Sequence, residues 1–223
     1  YYVKFKNTKW YKMLKNISSS SAINKKGRPK TFNKDQASKI AMETYWKEGI
    51  ENVSLNEMCR KIGESKPSVY REYGGEEGLQ LAALELYYKH RVEPIGKILF
   101  GAEGILAGIK STFYFLINDH FKDEKMGAAC MFNREGMHPS KNLSVICKNF
   151  IEKKDKENIS FLKEGLKRAV DKKELNKGIN IDTYSVYIFN QIKLIASLSN
   201  KSQLSKSTLR EMVDLIITPL LPN

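Results

Sequence analysis

The sequence predicts an all-α protein: a small N-terminal three-helix unit built around a helix-turn-helix, joined to a larger helical domain. Three observations carry this. Residues 53–79, VSLNEMCRKIGESKPSVYREYGGEEGL, read as two short helices joined by a glycine turn. Residues 33–49 before them carry small or apolar side chains at helical spacing, and most segments after them do the same. With 223 residues the chain is long enough to bury a substantial core.

Taken in order, the first helix is expected between a cap at Asn33 and a stop at Gly49, with Ala37, Ile40, Ala41, Thr44 and Tyr45 on one face. Ser54 opens the second, with Glu57 placed to close a capping box, and Leu55, Met58 and Ile62 form its apolar stripe. Gly63 ends it by taking a left-handed conformation. Ser65 caps the third helix, expected over 66–73, and Pro67 falls in its first turn, where a missing N–H is harmless. Val69 and Tyr73, four apart, face the core and leave Lys66, Ser68, Tyr70, Arg71 and Glu72 pointing outward. That outward set suits a DNA major groove: lysine and arginine reach phosphates or guanine acceptors, serine bonds to either, and tyrosine offers a hydroxyl beside an apolar ring. A helix–glycine–helix pattern alone is equally that of an ordinary helix pair. Its context favours DNA: no acidic residue precedes Asp35, while Lys25, Lys26, Arg28, Lys30 and Lys34 cluster just upstream, a basic arm suited to phosphate or minor-groove contacts.

The order GRPKTF, AMETYWKEGIENVSL and IGESKPSVYREYGGEEGL resembles the N-terminal DNA-binding domain of the tetracycline-repressor (TetR) family of bacterial transcription regulators. The resemblance covers about residues 27–88, and its most specific part is the run from Ser65 to Leu79. It implies a basic N-terminal extension over 1–26, a DNA-binding domain over 27–76 and an effector-binding and dimerisation domain over 77–223. It also implies that Ser54 touches a phosphate and that Lys66, Pro67, Ser68 and Tyr70 meet bases or backbone; Arg28, Lys30, Ser65 and Arg71 complete the candidate DNA-binding set. Two departures stand out: Glu76 at the start of the fourth helix, where the family commonly has a phosphate-binding lysine, and Glu64 after the turn glycine, a place that is usually apolar.

The formal charge of +13 favours a polyanionic partner, nucleic acid or an anionic membrane surface. Nucleic acid is preferred, because no run approaches the roughly 20 apolar residues needed to span a bilayer. The N-terminal residues also lack the continuous apolar stretch of a secretion signal. Cys59, Cys130 and Cys147 form no C-x-x-C pair, and the odd count argues against a disulfide framework and for a reducing cytoplasm. His90, His120 and His138 lack metal-ligand spacing. With no Walker loop, dinucleotide fingerprint or nucleophile elbow either, no metal, cofactor or enzymatic role is expected.

Beyond the reader, a helix is expected over 79–91, with Pro94 ending or bending the next segment, and another over 103–121 carrying Ile105, Ile109, Phe113 and Leu116. The apolar segment 127–132, GAACMF, loosely resembles a family segment beside the effector cavity. Pro139 is expected to open a long helix to about 172, striped by Leu143, Ile146, Cys147, Phe150 and Ile151 and continued by Phe161, Leu162, Leu166 and Val170. Its charged middle, 153–157, is expected to be an exposed face. Candidate effector-cavity residues are Phe113, Phe115, Cys130, Met131, Phe132, Cys147, Phe150 and Tyr184.

In the last two helices, apolar residues spread beyond one face, so partners on more than one side are needed. The family pairs these helices across a two-fold axis, which makes Tyr187, Ile188, Gln191, Ile195, Leu198, Met212, Val213 and Ile216 the candidate homodimer interface. The expected function is a dimeric repressor released from a palindromic double-stranded DNA operator by a small-molecule effector. The alternatives are an activator or a redox-responsive regulator on the same fold, or a helical ligand carrier without DNA function.

Overall fold

In the computed structural model, residues 32–118, 130–199 and 204–222 are described, and all regular structure among them is helical. Arg28, Lys30, the 1–26 extension, His120 and the first part of the GAACMF segment lie outside them. Helix α1 (Lys34–Glu48) begins where the Asn33 side chain accepts the Gln36 N–H at 3.0 Å, and it ends at Gly49. After a 3₁₀ turn (Ile50–Asn52), α2 (Leu55–Ile62) starts where the Ser54 hydroxyl accepts the Glu57 N–H at 3.3 Å. The Glu57 carboxylate turns forward to Lys61, 3.7 Å away, so an (i, i+4) ion pair replaces the reciprocal half of the expected box. Gly63 closes α2 at φ 75°, ψ 30°, a conformation that L side chains resist. Helix α3 (Lys66–Tyr73) has the predicted bounds, the Ser65 cap and the first-turn proline.

Helix α4 (Glu76–Tyr87) begins three residues before the expected 79, because α3 and α4 meet almost without a linker. A Cβ placed on Gly78 would lie 1.8 Å from the carbonyl oxygen of Tyr73, so only glycine lets the end of α3 rest on the first turn of α4. Pro94 does not end the helix either. A π turn (Tyr88–Val92), in which the Glu93 N–H reaches the Tyr88 carbonyl, leads directly into α5 (Glu93–Phe100). The wide turn lets the chain stay helical around a residue that has no N–H to donate.

Helix α6 (Ile105–Asn118) buries Ile105, Ile109, Phe113 and Leu116 as the spacing requires. Helix α7 (Met131–Met137) is short. Helix α8 (Val145–Asp171) starts six residues after Pro139, a correction to the sequence reading. Residues 140–143 close a turn, Leu143 N–H to Ser140 carbonyl at 2.9 Å, and Ser144 provides the cap by accepting the Cys147 N–H at 3.4 Å. On the predicted α8 stripe, Leu143, Cys147 and Ile151 are buried, while Ile146 and Phe161 are exposed. The charged middle is not all surface: the Asp155 carboxylate takes the Lys193 ammonium at 2.5 Å, and the two side chains are only 23% and 16% exposed. Helices α9 (Ile181–Leu198) and α10 (Lys206–Ile217) and a final 3₁₀ turn (Thr218–Leu220) complete the fold.

Two apolar clusters hold these helices. The first joins Tyr45, Trp46, Met58, Val69, Leu79 and Tyr87 to Met131, Phe132, Cys147 and Ile151. The core that seats α3 therefore extends past residue 76 into α7 and the first turns of α8. The second packs Ile109, Phe113, Leu162, Leu166, Ile188, Ile195, Val213 and Leu220. Each such side chain, fully buried, stabilises the fold by about 1.5–3 kcal/mol before entropy is counted. Polar ties reinforce the first cluster. The Arg134 guanidinium donates to the Tyr45 carbonyl at 2.9 Å and the Trp46 carbonyl at 3.1 Å, which fastens α7 to the C-terminal end of α1. Its Nε also meets the buried Glu135 carboxylate at 3.0 Å. The Asn133 side-chain amide donates to the Lys193 carbonyl at 3.0 Å, so α7 bridges α1 and α9.

Candidate nucleic-acid interface

The candidate reading helix, α3, has eight residues and is held from behind. Val69 is fully buried. The Tyr73 hydroxyl donates to the Lys34 carbonyl and bonds the Ser38 hydroxyl, both at 2.8 Å, and its ring stands edge-on to Phe32 at 5.9 Å. The two hydrogen bonds bind the last turn of α3 to α1. The opposite side presents Lys66, Pro67, Tyr70 and Arg71 as exposed residues and Ser68 as half-buried.

Within that set the groups are ordered differently. The Ser65 and Ser68 hydroxyls bond each other at 2.9 Å, and Ser65 also accepts the Ser68 N–H, so both are engaged in starting the helix. The Tyr70 ring lies over Gly75, where a Cβ would come within 3.3 Å of Cε1, and it remains 54% exposed. The Arg71 Nε meets the Glu72 carboxylate at 3.0 Å. Ser54 is exposed at the start of α2, beside free N–H groups suited to an anion. Lys61 is tied to Glu48 at 2.9 Å, and that hydrogen bond raises its pKa further above neutrality.

The other candidates fall in separate places. Met131, Phe132 and Cys147 are buried in the first cluster, with Cys130 and Phe150 at its margin. Phe113 is buried in the second, with Tyr184 packed against it, and Phe115 is half-buried on α6. Sequence spacing did not mark Tyr88, whose ring joins Phe132 (5.3 Å) and Phe150 (6.1 Å) into an aromatic trio under the Lys154 ammonium. An open pocket of about 170 Å³ lies where α5, α6 and α8 meet, between Glu103, Gly104, Arg168 and Lys172, and a second hollow lies along Asn149, Lys153 and Lys156. Neither is lined by any of the eight effector candidates. Burial pushes the Cys147 thiol up to about 11 and raises that of Cys59, which favours the protonated thiol in both.

The candidate dimer residues divide as well. Ile188, Ile195, Val213 and Ile216 belong to the protein's own core. Tyr187 is exposed, and Gln191, Leu198 and Met212 are half-buried. Tyr187, Gln191, Leu194 and Leu198 follow one another along one face of α9. Among the described residues there is no cluster of metal-ligating side chains and no helix long and apolar enough to cross a membrane.

A three-helix N-terminal unit carrying a helix-turn-helix is joined through α4 to a larger helical body. The fold is that of the TetR-family transcriptional regulators. The regulator CifR, solved as cysteine mutants with 26-bp double-strand operator DNA, superposes with a TM-score of 0.72 at 20% identity, covering 87% of this chain and 100% of that one. Reduced Escherichia coli NemR superposes with a TM-score of 0.69 at 14% identity over 83% of this chain and 95% of that one. No protein-family model matches the chain. The transcriptional repressor ComR of Escherichia coli K12 is 30% identical over 105 residues, 47% of this chain and about half, 50%, of ComR. The uncharacterized regulator YezE of Bacillus subtilis 168 is 24% identical over 195 residues, 87% of this chain and 99% of YezE.

Proposed function

We propose that the protein is a sequence-specific DNA-binding transcriptional regulator, a homodimeric repressor that leaves a palindromic operator when a small molecule binds its helical body. The observation that carries this reading is α3, anchored from behind by Val69 and Tyr73 and presenting Lys66, Tyr70 and Arg71 to solvent. The fold shared with operator-bound CifR and the match to the repressor ComR support it. In this reading Ser54, Ser65, Pro67 and Ser68 contact the backbone, joined by Arg28 and Lys30, while Lys66, Tyr70 and Arg71 discriminate bases. Two readers on a two-fold axis would meet successive major grooves about one helical turn apart. The exposed face of α9 through Tyr187, Gln191, Leu194 and Leu198, with Met212 of α10, is the proposed two-fold contact. An effector that binds better when the readers are wrongly spaced would release DNA. The aromatic trio of Tyr88, Phe132 and Phe150, next to α4 and α7, is where such a ligand would act on the reader most directly.

The deciding experiment is an anisotropy titration against DNA flanking the protein's own gene, with nonspecific competitor, at two salt concentrations. Tight binding that survives competitor and higher salt supports the reading. Weak, competitor-sensitive binding means that the +13 charge alone is acting, and the ligand-carrier reading takes its place. Deleting the gene separates repressor from activator by the direction in which neighbouring transcription moves.

A further inference from the structure

Helix α3 carries an acidic residue, Glu72, in its last turn beside the exposed Arg71. A carboxylate there repels every phosphate it approaches, whatever the sequence, so Glu72 weakens binding to DNA in general. The geometry offers a compensating role. Residues one apart on a helix do not normally face each other, yet the Glu72 Oε1 and the Arg71 Nε lie 3.0 Å apart. The contact uses the inner edge of the guanidinium and fixes the plane of an arginine that is otherwise 66% exposed. The two terminal nitrogens keep their donors, and their outer edge matches the paired acceptors N7 and O6 of guanine. A freely rotating arginine would satisfy a phosphate as readily as a base.

Building on the DNA-reading function proposed for α3, we propose that Glu72 is a positioning residue that holds the Arg71 guanidinium for bidentate reading of one guanine in each operator half-site. Glu72 itself touches no base. Its effect is to make Arg71 a discriminator of sequence and to remove it from the pool of nonspecific phosphate contacts.

The two possible roles of Glu72 have opposite signatures. Competition binding would be run with the full chain on its operator, on every single-base-pair variant of one half-site and on unrelated duplex, for wild type, E72Q and R71A. Wild type should prefer guanine at one position on the order of tenfold or more. R71A should lose that preference and no other. E72Q should bind unrelated duplex more tightly than wild type while its preference at the Arg71 position falls several-fold, the other positions being unchanged. Equal gains for E72Q on every duplex, with the preference intact, would overturn the proposal and leave Glu72 a plain repulsive charge; so would an R71A variant that still prefers guanine there. A wild-type protein that distinguishes no duplex would overturn the DNA-reading function itself, and that is seen before any variant is compared.

Discussion

Ser65 caps α3 and holds the Ser68 hydroxyl, so its loss acts on the reader before any DNA is present. Ser65→Ala should lower unfolding free energy by about 1 kcal/mol, measured by urea denaturation, and weaken operator binding by more than that because the first turn of α3 frays. Cys147 gives a prediction of a different kind. Burial lifts its thiol from 9.0 to about 11, and burial also raises the phenols of Tyr45 and Tyr87. Unfolding returns all three to ordinary values, so as pH rises the unfolded chain loses its protons first. The stability that Cys147 contributes is whole below about pH 9 and is lost as pH climbs toward 11, and that of the two phenols begins to be lost near pH 10. Urea midpoints should fall across that window, and Cys147→Ala should flatten the fall; an unchanged slope would show that the thiol is not buried in solution.

At the scale of elements, the α3–α4 contact is the most sensitive to sequence. Gly78→Ala forces Tyr73 and the end of α3 away from α4, since 1.8 Å leaves no room for a methyl group. The expected result is loss of operator affinity of at least tenfold with helical content by circular dichroism nearly unchanged. Arg134→Gln should cost about 2–3 kcal/mol in urea denaturation, because two carbonyls at the end of α1 and the buried Glu135 lose a charged donor. Elements that depend on neighbours in the chain were legible in the sequence. The caps at Asn33, Ser54 and Ser65, the stop at Gly63 and the span of α3 all follow from a few adjacent residues. Elements decided by distant partners were not. Pro139 resembles a helix start, yet Ser144 opens α8, because Glu135 and Ser140 hold the chain in a turn first. Asp155 resembles surface charge until Lys193 arrives from α9. For the same reason seven of the eight effector candidates, alike in composition, divide between two cores while Phe115 is half-buried on α6, and the spacing leaves Tyr88 in its π turn unmarked. The outward set of α3 was legible because an eight-residue amphipathic helix leaves few choices; the pairing of Arg71 with Glu72 was not, since adjacent helical residues ordinarily diverge.

For the whole molecule, the proposed assembly rests on one face of α9. Leu194 is 42% exposed there and Tyr187 39%. Leu194→Glu with Tyr187→Glu should convert the protein from dimer to monomer by sedimentation analysis and reduce operator affinity by orders of magnitude, with the monomer still folded; a dimer that persists would move the two-fold contact elsewhere. The shared core of α1–α4 with α7 and the start of α8 has a consequence for how chains of this fold can be recombined. A chimera that transplanted residues 32–75 onto another body would carry Tyr45 and Trp46 away from Arg134, and would leave Val69 and Met58 seated against a foreign helix. Exchange of specificity by cutting at the end of α3 should therefore yield poorly soluble hybrids. A graft that also brings 76–92 and 130–151 would transfer the reader with its own foundation, so the unit that can be inherited as a module is discontinuous in the chain.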